Sequence, residues 1–176
     1  MVHPPPPQPF QQLLAAQNPF WRDRLLAIRL AEPAEAPAVK SFICSIFKAF
    51  ISQIGRIPRS MLADYAQMIQ RDRVWVVVED GQLIAVLVLA REPAHYHIKT
   101  LAVRSDRRGK GLGRALLRHA EVQSTEGGYR EIWLHTNATM TRNLQLYRSI
   151  GYRERYRETY QGSESIYMCK ELSRAP

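Results

Sequence analysis

The stretch RRGKGLGR, residues 107–114, places three glycines at alternate positions among four cationic side chains. A strand-like run, HYHIKTLAV (95–103), comes before it, and the apolar residues Ala115 to Leu117 follow it at once. Glycine lets a backbone approach a ligand closely, and the free N–H groups and dipole at a helix start favour an anion. The stretch therefore predicts a strand, loop and helix that hold an anionic ligand. A tight turn that merely carries surface cations is the structural alternative.

Two other uses of such a loop fit less well. A dinucleotide-binding loop has the pattern GxGxxG, whereas here Gly113 comes one position early, and GxxxxGK[ST] is absent. A cluster of cations opposed only by Asp106 would suit nucleic-acid phosphates. However, the cluster contains no aromatic side chain for base stacking and no recognition motif accompanies it, so nucleic acid is disfavoured as a partner. The cations are Arg104, Arg107, Arg108, Lys110, Arg114 and Arg118.

The whole chain has 176 residues, which suits one domain with a substantial core. Its formal charge of +9 indicates an anionic ligand or an acidic partner and says nothing about the fold. Apolar runs such as LIAVLVLA are far shorter than the roughly 20 residues that span a bilayer, and no signal peptide is visible. Cys44 and Cys169 have no metal-site spacing and suit a reducing compartment. We therefore expect a cytoplasmic protein with no membrane partner and no metal site.

The order of the predicted elements is βααβββαβαββ, which indicates a mixed α/β sheet. Residues 1–20 hold a run of four prolines and are predicted to be an extended, flexible leader. Residues 21–176 are predicted to be a single domain. Within it, Asp80-Gly81 between two β-branched runs predicts a hairpin, and Pro58 predicts the start of a helix.

The glycine-rich stretch resembles the central motif of the GCN5-related N-acetyltransferase (GNAT) family, which is Arg or Gln, two residues, Gly, one residue, then Gly or Ala. Arg108, Gly111 and Gly113 fill this motif, and the strand LAV (101–103) precedes it. A second family motif is similar to NLQLYRSIGYRE (143–154), which follows at the right distance. The resemblance is close over residues 72–170 and rests on element order alone over residues 22–70. It implies an α/β fold with a mixed, mostly antiparallel central sheet flanked by helices.

The resemblance also implies acetyl-CoA as co-substrate. In such enzymes the strand that matches Leu101, Ala102 and Val103 binds the pantetheine arm through its backbone, and the following loop wraps the diphosphate. Many relatives carry a cofactor-binding Asn where this chain has Met140, and Asn143 is the candidate to replace it. The cofactor-binding residues implied in the loop are Arg108, Gly109, Lys110, Gly111, Leu112, Gly113 and Arg114.

Acetyl transfer to an amine requires a proton acceptor for the amine, a donor that polarises the carbonyl, and a donor that stabilises the leaving thiolate. Tyr147 stands at the family's Leu-Tyr position and is the predicted donor to the thiolate, with a buried core tyrosine as the alternative. The N–H of Val103 is the candidate for the carbonyl. His135 ranks first and His97 second as the base, and a chain of waters is a further candidate. His95 and His97 should share one face of their strand.

The leading prediction is an N-acetyltransferase that moves the acetyl group of acetyl-CoA to a primary amine of a small or amino-acid-like acceptor. Its rival within the same chemistry is a protein acetyltransferase acting on an N-terminus or a lysine, for which the short turn GSE (162–164) would leave room. From another class, a basic nucleic-acid-binding module or a domain that senses acetyl-CoA without turnover stays open. The sequence also leaves a monomer and a homodimer open. Candidate acceptor contacts, for which a plain surface role is favoured, are Arg56, Arg59, Tyr65 and Tyr160.

Overall fold

The computed structural model describes residues 8–172 and contains a sheet of seven strands. Their order across the sheet is β1-β2-β3-β4-β5-β7-β6, and each neighbouring pair is antiparallel except β4 with β5, which is parallel. The mixed, mostly antiparallel sheet expected from the sequence is thus confirmed. The strands are β1 (Leu26–Leu30), β2 (Arg73–Glu79), β3 (Gln82–Arg91), β4 (Tyr96–Val103), β5 (Glu131–Asn137), β6 (Arg153–Tyr160) and β7 (Ser163–Glu171).

Helices cover both faces of this sheet. They are α1 (Gln8–Gln17), α2 (Ala36–Phe47), α3 (Ile51–Ile54), α4 (Arg59–Leu62), α5 (Tyr65–Arg71), α6 (Leu112–Glu126) and α7 (Thr141–Ser149). On one face, α1 and α6 bury side chains such as Leu14 and Leu116, and on the other, α2 and α5 bury Ile43 and Tyr65. Strand β3 lies between the two layers and is buried from residue 84 to residue 90, which explains why LIAVLVLA is apolar without alternation.

The prediction of an extended leader is wrong for residues 8–20. Residues 8–17 form α1, in which Phe10 and Leu14 belong to the core, and Asn18 caps a short 3-10 helix at Pro19–Trp21. Proline prevents helix formation in a helix interior, but Pro9 stands in the first turn, where the N–H group has no helical acceptor. The apolar spacing of Phe10, Leu13 and Leu14 is the helical signal that the proline run obscured. Residues 1–7 of the predicted leader lie outside the described residues.

Strands β4 and β5 part midway along their length, and this opens the space in which the site lies. They pair only at residues 96–98 with residues 132–134, although β4 continues to Val103 and β5 to Asn137. Strand β4 also carries a bulge, since its register with β3 shifts between Ile98 and Thr100 and leaves Lys99 unmatched. Beyond Ile98, the edge of β4 that faces β5 therefore has no strand partner within the described part of the chain.

The β2–β3 and β6–β7 hairpin turns each use two residues with positive φ. Asp80 and Gly81 form the predicted turn with φ of 50° and 76°, as the tight turn between twisted strands requires. The β6–β7 turn is Gln161 and Gly162, with φ of 50° and 73°, so it is one residue shorter than the predicted GSE. The helix predicted to start at Pro58 is divided into α4 and α5.

Over residues 8–172, no helix is both long and apolar enough to cross a membrane. Cys44 and Cys169 are free thiols.

Candidate active site

A cavity of about 350 Å³ lies between the parted ends of β4 and β5. Its walls come from these strands, β7, α7 and the segment from α2 to α5. Five of the predicted site residues line it, namely Leu101, His97, His135, Asn143 and Tyr147. The glycine loop (residues 108–114) and the backbone of residues 102–103 lie outside this lining, so the structure separates the predicted residues into a cavity and a loop.

The two candidate bases contact each other at the cavity wall. Nε2 of His97 lies 2.9 Å from Nδ1 of His135, and the ring of Tyr167 stacks on His135 at 5.2 Å. The ring of His95 lies 6.2 Å from that of His97, on the face that the spacing predicted, but packs against Trp133. Whichever ring of the neutral pair donates, one lone pair and one N–H stay available at its two outer nitrogens. The arrangement can therefore take a proton at one end and release one at the other.

Both rings of this pair are neutral at pH 7. Burial, with a smaller contribution from His135 and Lys99, lowers the pKa of His97 to about 3. Burial lowers the pKa of His135 to about 4, and the positive charges of Lys99, Arg59 and Arg56 act in the same direction. The ordinary pKa of histidine is near 6.5. At pH 6.5, where half of the free histidine is protonated, both of these imidazoles are still neutral.

Tyr147 reaches the cavity from α7. Its side chain is 7% exposed, its ring lies 6.0 Å from that of Tyr152, and burial raises its pKa to about 12. No residue in the described ranges makes a hydrogen bond to its hydroxyl. The hydroxyl oxygen is nevertheless not completely enclosed, so it can be reached from outside. A ligand in the cavity can therefore accept a hydrogen bond from this hydroxyl.

Asn143 and Met140 lie side by side at the start of α7, with Nδ2 of Asn143 3.7 Å from Sδ of Met140. Both line the cavity. Asn137, which sequence reasoning missed, ends β5 and accepts from the N–H of Thr139 while its Nδ2 donates to Ser163 Oγ. The sequence signal for Asn137 was its position as a polar residue between a predicted strand and the start of a predicted helix. It fixes the end of β5 to the β6–β7 hairpin.

The glycine loop presents a row of backbone donors. Gly109 and Gly111 have φ of 72° and 86°, so they occupy conformations that favour glycine, whereas Gly113 has ordinary helical geometry with open space around it. Among residues 8–172, no acceptor bonds the N–H groups of residues 109–114, and the first helical bond runs from Ala115 to Gly111. Six consecutive N–H groups without an acceptor in the described residues, at the start of α6, can bind an anion.

Residues 17–21 of the N-terminal segment pack against this loop. The indole N–H of Trp21, which is fully buried, donates to the carbonyl of Lys110 at 2.6 Å. Phe20 lies under the Lys110 ammonium at 4.6 Å from the ring centroid, and Gln17 approaches Gly111. Residues 17–21 thus hold the loop's conformation, a role that the sequence did not reveal.

The cations near the loop divide into two groups. Arg104 and Arg107 both bind Asp106, and Arg107 also binds Glu79, a buried carboxylate at the end of β2 that Arg24 binds as well. The expectation that only Asp106 opposes these cations is therefore wrong, because Glu79 arrives from another strand. In the described part of the chain, the other four cations contact no carboxylate. They are Arg108, Lys110, Arg114 and Arg118.

The free edge of β4 carries backbone groups into the gap. The N–H of Arg104 donates to Ile84 on β3, so the carbonyl of Val103 points the other way, and Arg108 donates to it at 2.9 Å. Because successive residues of a strand direct their backbone groups to opposite edges, Leu101 and Val103 face the gap and Ala102 faces β3. Val103 is the residue predicted to polarise the carbonyl.

Comparison with known proteins identifies this architecture. Residues 42–152, more than half of the chain, match the model of the Acetyltransferase (GNAT) family. No curated protein matches the chain. Three solved structures illustrate the likeness in fold, each less than 25% identical.

A PaiA N-acetyltransferase from Thermoplasma acidophilum in complex with coenzyme A is 17% identical with a TM-score of 0.72, covering 84% of this chain and 99% of that one. An IAA acetyltransferase from Bacillus cereus is 23% identical with a TM-score of 0.63 over the same shares. The ribosomal-protein-S18-alanine N-acetyltransferase from Escherichia coli is 22% identical with a TM-score of 0.64, covering 86% and 96%. The chain belongs to the GNAT family, and it is an acyltransferase with acetyl-CoA as its co-substrate.

Proposed function

We propose that the protein is an N-acetyltransferase that moves the acetyl group of acetyl-CoA directly to a primary amine of a small, amino-acid-like acceptor. The observation that carries this proposal is the cavity at the gap between β4 and β5, which holds a neutral histidine pair and an unpaired tyrosine hydroxyl. A nucleophile, its proton acceptor and a thioester would meet in this space.

In this proposal, acetyl-CoA binds along the gap between β4 and β5 and along the glycine loop. The N–H groups of residues 109–114, which have no acceptor in residues 8–172, receive the diphosphate. Nearby cations that contact no carboxylate of the described residues match its charge. The free edge of β4 at Leu101 and Val103 bonds the pantetheine arm. This brings the thioester to the end of the cavity at Tyr147 and Asn143.

The order of proton transfers follows from the pKa values. An alkyl ammonium has a pKa near 10, far above the values of about 3 and 4 for His97 and His135. The histidines therefore do not deprotonate the free ammonium. The neutral amine attacks the carbonyl carbon, and the pair takes the proton from nitrogen once the new C–N bond has made it acidic.

The developing charge is stabilised by two donors. The N–H of Leu101, the gap-facing residue of β4 that lines the cavity, bonds the carbonyl oxygen as the tetrahedral intermediate forms, because Val103, the residue predicted for this role, lies outside the lining. As the C–S bond breaks, Tyr147 donates a hydrogen bond to the sulfur. A thiol has a pKa near 8.5, below the value of about 12 for this tyrosine, so the hydroxyl stabilises the thiolate and keeps its own proton.

A small acceptor is favoured over a protein by the size of the site. The cavity of about 350 Å³ is at the lower end of the range for small-molecule sites. A protein acceptor is the alternative with the same chemistry, and the two-residue β6–β7 turn leaves that side open. Free amines and short peptides tested side by side distinguish the two.

The first test is calorimetric titration with acetyl-CoA and with dephospho-CoA, followed by an amine panel in which released CoA thiol is measured. We expect acetyl-CoA to bind and free amines to release CoA. The pH profile of kcat/KM should rise towards the pKa of the acceptor amine with no inflection near 6.5. Absence of acetyl-CoA binding, or CoA release from peptides alone, contradicts the proposal.

A further inference from the structure

The charged side chains of the cavity lining are all cationic. They are Arg56, Arg59 and Lys99, and no aspartate or glutamate from the described residues stands among them. Lys99 is already paired with Glu92 at 2.9 Å. Arg56 and Arg59 have no carboxylate within salt-bridge distance anywhere in residues 8–172. Two arginines without a carboxylate partner in the described residues, Arg56 half-buried and Arg59 exposed, thus line the cavity in which the acceptor would bind.

Arg56 is the less satisfied of the two. It is half-buried, its Nε is enclosed without a hydrogen-bond partner, and its only bond in the described structure is a long one of 3.4 Å from Nη1 to the carbonyl of Ile57. A buried donor without a partner is destabilising unless something else accepts from it. Nε itself is closed off, but Nη2 has no partner among the described residues and is not enclosed, so Nη2 is the donor that an acceptor group in the cavity can reach.

Tyr160 at the end of β6 holds both guanidinium groups. The Cζ atoms of Arg56 and Arg59 lie 5.8 Å and 5.2 Å from the centroid of its ring. A cation–π contact orients a guanidinium without neutralising its charge. Two cations on one ring also repel each other, and an anion between them relieves that repulsion.

These groups lie near the histidine pair. The charges of Arg59 and Arg56 act on His135, and that of Arg59 acts on Tyr167. Glu158 is close enough to raise the pKa of both Tyr167 and His135, but it does not line the cavity. When the amine of a small acceptor faces His135, the rest of that acceptor lies near Arg56 and Arg59.

We propose that the acceptor carries a carboxylate, which Arg56 and Arg59 bind, so that the substrate class is free amino acids and similar small amino-carboxylates. This inference rests on the proposed function. Guanidinium groups match the geometry of a carboxylate with two parallel hydrogen bonds. The diphosphate of acetyl-CoA does not compete for this place, because its loop at residues 108–114 lies outside the cavity.

The test compares L-amino acids with their amides, which keep the side chain and remove the negative charge. Rates are compared at equal concentrations of free amine, because amidation also lowers the pKa of the neighbouring amino group. The enzyme is assayed as wild type, Arg56→Gln, Arg59→Gln and Arg59→Lys. Arg153→Gln is the matched control, since Arg153 is an exposed arginine on β6 that does not line the cavity.

We expect the wild type to prefer acids, and each glutamine substitution to lower kcat/KM for acids by about 10- to 100-fold, as loss of a charge-assisted hydrogen bond predicts. Rates with amides, and the affinity for acetyl-CoA, should change little. For Arg59→Lys, kcat/KM for acids should lie between the values for the wild type and Arg59→Gln. For Arg153→Gln it should match the wild type. Equal rates for acids and amides in the wild type, or a preference that survives both glutamine substitutions, overturn the inference.

A second measurement does not depend on turnover. Calorimetry with CoA present compares N-acetyl amino acids with their N-acetyl amides as ligands. Preferential binding of the acids, lost in Arg56→Gln and Arg59→Gln, supports the carboxylate site even if no amine is acetylated, in which case the proposed function alone fails. Failure of the acids to bind more tightly than the amides overturns the inference.

Discussion

Replacement of Tyr147 by phenylalanine isolates the hydroxyl that faces the cavity. The ring fills the same buried space, and the lost hydroxyl leaves no described partner unsatisfied, so the fold should be retained. Its raised pKa of about 12 keeps the proton on the hydroxyl, which in the proposed mechanism donates a hydrogen bond to the departing sulfur. Removal of one such donor from a transition state typically lowers kcat by about 100- to 1,000-fold. We expect a loss of that size.

The assay measures kcat and kcat/KM by thiol release, the acetyl-CoA dissociation constant by calorimetry, and the melting temperature. The affinity for acetyl-CoA should change by less than about 3-fold, since the contact forms mainly as charge develops on sulfur. Tyr152→Phe is the matched control, because Tyr152 is a buried tyrosine beside Tyr147 that does not line the cavity. Unchanged kcat in Tyr147→Phe, or an equal loss in Tyr152→Phe, would refute the assignment.

Three further predictions concern the loop and the buried histidines. Trp21→Phe removes the donor to Lys110 and should weaken acetyl-CoA binding measured by calorimetry, whereas an unaltered dissociation constant would contradict a supporting role. Gly111→Ala should lower both melting temperature and affinity because φ is 86°, while Gly113→Ala should lower affinity alone; equal effects on melting temperature would contradict this. The free energy of unfolding should fall as pH drops from about 6.5 to about 4, at about 1.4 kcal/mol per pH unit for each buried histidine. Burial lowers the pKa of His119 to about 4. The variant His119→Phe should therefore show a shallower pH dependence of stability in denaturant titrations.

The parts predicted correctly from the sequence depend on local signals. Alternating or continuous β-branched runs gave β2 and β3, and Asp80-Gly81 gave their turn, because side-chain direction and positive φ are properties of neighbouring residues. The strand, loop and helix around Gly111 follow in the same way. Helix α1 also had a local signal in Phe10, Leu13 and Leu14, which the preceding prolines outweighed.

The parts that could not be predicted depend on contacts between distant segments. His97 and His135 are 38 positions apart, and only the parallel register of β4 with β5 brings them within 2.9 Å. Glu79 neutralises cations of the loop from the end of another strand. A count of charges along residues 104–118 had no means of including it.

The burial that keeps the histidine pair neutral, as the proposed mechanism requires, also limits the stability of the fold in acid. A pKa of about 3 or 4 keeps both rings neutral at pH 7, which preserves the lone pair that, in the proposed mechanism, accepts a proton from the attacking amine. The unfolded chain binds those protons near pH 6.5 and the folded chain does not, so the free energy of unfolding falls as pH is lowered through this window. A solvent-exposed pair would avoid that loss, but each ring would then be partly protonated near neutral pH and would repel the ammonium form of an incoming amine. If the pair is the proposed base, which must stay uncharged beside Arg56 and Arg59, acid sensitivity is its expected consequence.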